Sequence, residues 1–108
     1  NNVISCNVDV NYVAFFILPA SCSNKWHSHA RRNLIYHILL NDLSGGGCNF
    51  QCGKASKILL NAGDELIFDY SQLHRSENNS ILHRVNFIVD FKPKNYDADN
   101  IDNGASKH

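Results

Sequence analysis

The chain has 108 residues, ten of them basic and ten acidic, and a formal net charge of zero. That length holds one domain with one modest core. Balanced charge excludes a surface that grips nucleic acid by itself, since phosphate binding needs a basic excess. No apolar run is long enough to span a bilayer, and no basic segment precedes a signal-like core. The expected setting is therefore soluble and cytoplasmic, with no membrane partner. The chain contains no Met and opens on Asn1-Asn2, as a piece of a longer protein would.

Residues 4–12 alternate: Ile4, Cys6, Val8, Val10 and Tyr12 share one phase, and Ser5, Asn7, Asp9 and Asn11 the other. This predicts a half-buried strand. Residues 13–18 form a continuous apolar run ending at Pro19, expected to be a strand buried on both faces. A polar loop over 21–25 follows. Residues 34–40 are apolar on both phases apart from Tyr36 and His37. The strongest break lies at 41–47 and contains three consecutive glycines. Residues 48–52 and 56–60 read as a hairpin about Gly53-Lys54.

A turn at 62–64 precedes a strand over 65–70, and 71–79 reads as a polar connection. The last strand, 81–91, carries Ile81, His83, Val85, Phe87, Val89 and Phe91 in one apolar phase. From residue 93 the sequence turns polar, which divides the chain into a domain over 1–92 and a linker or frayed tail over 93–108. No segment has helical periodicity over ten residues. Short strands between Gly and Asn/Asp turns indicate an all-β sandwich or barrel. Two packed antiparallel sheets are expected, with Ile4, Ile17, Ile67, Val85 and Phe87 buried.

The four cysteines are Cys6, Cys22, Cys48 and Cys52. Cys48 and Cys52 lie about 13 Å apart along one strand, too far to bond. The cysteines are expected to be reduced and to pack as small apolar residues.

Two segments carry chemistry. In Trp26-His27-Ser28-His29 the histidines sit at i and i+2, so in a strand both rings point to one side. The second segment runs from Gly63 to His74 and on to Asn78. This constellation resembles the cupin superfamily. The first cupin motif has a His-x-His pair, then Glu, then Gly. The second has Gly, five residues, Pro-x-Gly, two residues, His, three residues and Asn. Gly63, His74 and Asn78 keep that second spacing, with Asp69 and Ser71 in place of the Pro and Gly. Asn33 or Leu34 stands where the glutamate belongs, and the following glycine is displaced into the 45–47 run. The resemblance implies a cupin barrel, that is, a double-stranded β-helix or jelly roll.

Within that superfamily, residues 27–91 look most like the N-terminal sensor domain of AraC/XylS-type transcription regulators. That resemblance implies a small-molecule effector inside the barrel, a homodimer, and DNA contact only through a separate domain absent from this chain. The candidate ligand-binding residues are His27, His29, Asn33, Tyr36, His37, Phe68 and His74. His27, His29 and His74 are also the candidate ligands of a divalent transition metal, Zn, Fe or Ni. The other reading of the three is as pocket polar groups without metal. The strand phase leaves open whether His37 or Tyr36 points inward. His83, on the apolar phase, reads as a core histidine, and Arg31-Arg32 as either an anion contact at the barrel mouth or a solvated loop. No catalytic residue is assigned. Effector sensing is the preferred function. The alternative is a small metal-dependent cupin enzyme of the dioxygenase or isomerase class.

Overall fold

The structure, a computed structural model, describes residues 8–93. Its strands are β1 Val8–Leu18, β2 Leu34–Leu39, β3 Cys48–Cys52, β4 Ala55–Leu59, β5 Glu65–Asp69, β6 His74–Asn78 and β7 Arg84–Pro93. There is no helix among the described residues, and so none long and apolar enough to cross a membrane. The strands form two antiparallel sheets, ordered β1-β7-β2-β5 and β4-β3-β6. The chain changes sheet after β2, β4, β5 and β6, and the two inner faces enclose the core.

Apolar side chains fill one part of the interior. Leu39, Leu43, Cys48, Phe50 and Leu59 form one cluster, with Leu18 and Leu66 packed against it. Ile35, Tyr70 and Ile88 form a second, bordered by Ala14 and Phe68. The glycine run makes the approach to β3 possible. Gly47 sits at φ +69°, and a Cβ there would lie 2.7 Å from the Leu59 carbonyl oxygen. Only glycine satisfies both the conformation and the space.

The segment before β2 is an arm laid along the free edge of β6. Ser23 bridges Glu77 and His27 bridges His74, both antiparallel. Asn24 N donates to Ser76 O at 3.0 Å, and Asn78 N donates to Cys22 O at 2.8 Å. The arm thus covers a sheet edge that would otherwise be open, and it carries the His-x-His pair into the barrel mouth.

Several sequence expectations are corrected here. Residues 8–18 are one strand, with a register shift between Val10 and Tyr12. The extra residue, Asn11, resets the alternation, as a bulge does. Val8 lies with Tyr36, Ile67, Val89 and Phe91 on the outer face, whereas Tyr12 lines the interior. Residues 13–18 are not buried on both faces: Val13, Phe15 and Ile17 are exposed. Residues 71–79 are not simply a connection, because β6 lies within them.

The phase of the last strand is the reverse of the apolar reading. Arg84, Asn86, Ile88 and Asp90 point inward and are buried, while Val85 and Phe87 are only half-buried. Ile67 is exposed, and so is His83, whose Nδ1 accepts a bond from Ala20 N. The cause is common to all of these. The barrel interior is partly polar, and the outer face of the four-stranded sheet is partly apolar, so hydrophobicity alone assigns the faces backwards. Pro93, assigned to the tail, is the last residue of β7, paired with Val8. Ile4, Cys6 and the tail over 94–108 lie outside the described residues.

Candidate metal centre

His27 and His29 come from the arm and His74 from the first residue of β6. His27 and His74 exchange backbone hydrogen bonds, and His29 N donates to Tyr70 O at 3.0 Å. These bonds fix two segments, 27–29 and 70–74, against each other, so that three histidines meet at one place. One ring nitrogen from each histidine falls in a group whose members all lie within 4.8 Å of one another. The ring centroids are 4.2 Å apart for His27–His74, 5.5 Å for His27–His29 and 5.7 Å for His29–His74.

Two of the rings are oriented in the same way. His27 Nδ1 lies 2.6 Å from Lys25 O, and His74 Nδ1 lies 2.7 Å from Gln72 O. A carbonyl accepts, so each Nδ1 carries a proton, and in the neutral ring Nε2 then has the free lone pair. A backbone carbonyl holding the distal ring N–H is the usual support of a ligating histidine. His29 is held differently, by its ring against Tyr70 at a centroid distance of 4.6 Å. Burial keeps His74 below the ordinary imidazole pKa; the bond to Gln72 O opposes this, and the His27 and His29 rings add to it. A neutral imidazole is the form that ligates. The donor set therefore fits a divalent transition ion such as Zn, Fe or Ni.

The turn before His74 works without Pro and Gly. The Asp69 carboxylate accepts from Ser71 N at 2.9 Å and from Ser71 Oγ at 2.7 Å, and Asp69 O accepts from Gln72 N at 3.1 Å. Asp69 thus closes the turn through its side chain. Asn78 is fully buried and clamps the far end of β6. Its Nδ2 donates to Leu18 O, Pro19 O and Leu82 O, and its Oδ1 accepts from Ser80 N.

The histidines open into a cavity of about 290 Å³, also lined by Phe16, Ile35, His37, Phe50, Phe68, Tyr70, Ser76 and Arg84. His37 points inward, which settles the phase against Tyr36. Burial, reinforced by the charges of Arg84 and His74, lowers the His37 pKa from 6.5 to about 3. Its Nδ1 lies 2.8 Å from Asn86 Nδ2. Phe68 sits 4.9 Å from the His74 ring and 5.8 Å from the His37 ring, centroid to centroid.

Two sequence candidates lie elsewhere. Strand alternation turns Tyr36 to the outer face, where its hydroxyl donates to Glu65. Asn33 is buried, but its Nδ2 donates to Asp90 Oδ1 at 2.8 Å. Asp90 also accepts from Tyr70 Oη at 2.6 Å and from Asn11 Nδ2 at 3.2 Å. Asn33 is thus a structural support reaching the centre only through Tyr70, which stacks on His29. Arg84 and Asp90 were missed because they lie on the polar phase of the last strand. The signal was Arg-x-Asn-x-Ile-x-Asp, a mixed phase rather than a solvent-facing one.

No family model matches the chain, and no curated protein does. Among solved structures it is similar to a non-heme monooxygenase, the ThoJ–Ni complex, with a TM-score of 0.62 and 21% identity. That match covers 82% of this chain and 45% of the ThoJ chain, so the present chain spans less than half of that protein. It is similar to a cupin 2 conserved barrel domain protein from Salinispora arenicola CNS-205, with a TM-score of 0.57 and 14% identity over 94% of this chain and 83% of that one. A cupin domain from Bordetella pertussis matches with a TM-score of 0.56 and 16% identity over 79% of this chain and 91% of that one. At these identities the comparisons establish the fold. The chain is an all-β cupin barrel.

Proposed function

We propose that this barrel is a metal-binding cupin domain that holds one divalent transition ion on His27, His29 and His74 and takes a small molecule into the adjoining cavity. The observation that carries the reading is the convergence of the three imidazoles, two with Nδ1 tied to a backbone carbonyl and Nε2 free. The similarity to a nickel-complexed non-heme monooxygenase supports it.

Such an ion, when bound, polarises an oxygen or nitrogen of the ligand as a Lewis acid. The chain's own groups do the rest. Phe16, Ile35, Phe50 and Phe68 exclude water from the ligand body, and Arg84 and Ser76 supply donors at the inner end. Neutral His37 offers a hydrogen bond without adding charge.

A second reading is effector sensing in a cytoplasmic AraC-type regulator, in which the same cavity binds a signal molecule and a homodimeric longer protein reads the change through a DNA-binding domain. One observation favours it over catalysis: no Asp or Glu among the described residues lines the cavity. No carboxylate is therefore placed to take a proton from a bound ligand. Binding biases such a regulator only if the two states differ in affinity for the ligand.

The test is metal analysis of untagged protein after equilibrium dialysis against Zn, Fe(II) or Ni(II), beside His27→Ala and His74→Ala. One ion per chain in the wild type, lost in both variants, is expected. No retained ion, or equal retention in the variants, overturns the reading. Turnover of a ligand by the loaded protein would select the enzyme over the sensor.

A further inference from the structure

Arg84, the first residue of β7, enters the barrel interior and is 3% exposed. Its Nη1 donates to Ser76 Oγ at 3.2 Å and to Cys48 Sγ at 3.5 Å, and the guanidinium carbon lies 5.1 Å from the centre of the Phe50 ring. None of these partners brings a negative charge. Ser76 and Phe50 are neutral, and burial pushes the Cys48 thiol pKa up, against the pull of Arg84. Arg84 Nε has no hydrogen-bond partner. Among the described residues no carboxylate pairs with Arg84; the neighbouring ion pair joins Arg75 to Glu77 instead.

A guanidinium taken out of water without a counter-charge is costly to hold. Here it faces a cavity that no acidic residue among the described residues lines. At Arg84 the cavity is complementary to an anion.

We infer that Arg84 anchors the carboxylate of a small organic acid bound in this cavity, an inference that rests on the cavity being the ligand site proposed above. The planar guanidinium presents paired N–H donors that match a carboxylate. The walls between the two polar ends are Phe16, Ile35, Phe50 and Phe68, which suit an apolar body. A volume of about 290 Å³ admits a single-ring or short-chain acid. Ser76, the partner of Arg84, follows His74 by two residues on the inward face of β6. Along a strand that is about 7 Å, the length of such an acid. Its carboxylate meets Arg84, and its other end meets the histidines.

The probes are benzoate and its neutral isostere benzamide, titrated calorimetrically into metal-free and nickel-loaded wild-type protein and into Arg84→Gln. Benzoate is expected to bind about tenfold or more tightly than benzamide in both wild-type states, and to lose that preference in Arg84→Gln. If Arg84→Gln does not fold, the wild-type arms still decide, together with the Arg84 Nε–H resonance, which benzoate should shift in metal-free protein. Equal affinity for acid and amide, no binding of benzoate, or a preference seen only with nickel present overturns the assignment. The last result would put the carboxylate on the ion. A benzoate preference in protein that never loads metal would retain Arg84 as the anchor and reject the metal centre.

Discussion

His27 and His74 face each other across an antiparallel bridge, each backbone N–H donating to the other's carbonyl, at 3.0 and 2.8 Å. Their rings stand 4.2 Å apart, and each Nδ1 is held by the carbonyl two residues earlier in its own segment. The same backbone pairing that closes the edge of β6 therefore also aligns the two imidazoles. Edge protection and site assembly are one structural event.

Asp90 should prove central to stability. It is fully buried and accepts from Asn11, Asn33 and Tyr70. Asp90→Ala leaves three donors without an acceptor, so it should cost about 2–4 kcal/mol in chemical denaturation. A loss below about 0.5 kcal/mol would mean that the network is not formed.

The pH dependence follows from His37. Its pKa in the folded chain is lowered from 6.5 to about 3, chiefly by burial. The unfolded chain therefore binds a proton between those values that the folded chain does not. His37 contributes fully to stability above about pH 6.5 and progressively less as pH falls toward 3. The slope is at most about 1.4 kcal/mol per pH unit. Melting curves from pH 7 to 4 should fall less steeply in His37→Gln than in the wild type. Identical slopes would contradict a neutral, buried His37.

Alkylation should distinguish the thiols. Cys22, Cys48 and Cys52 are free, and Cys22 is exposed while Cys48 is buried. Burial raises the Cys48 pKa and lowers its thiolate fraction. In native protein iodoacetamide should modify Cys22 first and reach Cys48 only on unfolding, as peptide mass mapping would report. Early labelling of Cys48 would show that the core around Arg84 is open.

The hairpin β3–β4 was legible in the sequence because Gly53 supplies the positive φ its turn requires and the flanking residues favour strands. The meeting of His27, His29 and His74 was legible through the resemblance of their spacing to the two cupin motifs, and the structure brings the three rings together. β6 was not. Its sequence, His-Arg-Ser-Glu-Asn, is wholly polar, and only the arm and β3 on either side make it a strand. The inward phase of β7 was hidden for a related reason. Arg84, Asn86 and Asp90 are buried against polar partners outside their own strand, so no local hydrophobic signal marks them. Apolar Phe15, Ile17 and Ile67 on the outer face reinforced the wrong assignment.

In the proposed centre three imidazoles hold one ion. X-ray absorption on zinc-loaded, untagged protein tests it most directly. The predicted result is one zinc per chain with three imidazole nitrogens at about 2.0–2.1 Å, falling to two, with weaker retention, in His74→Ala. Zinc bound through sulfur, zinc with fewer than three imidazoles in the wild type, or a His74→Ala spectrum unchanged from wild type would contradict it.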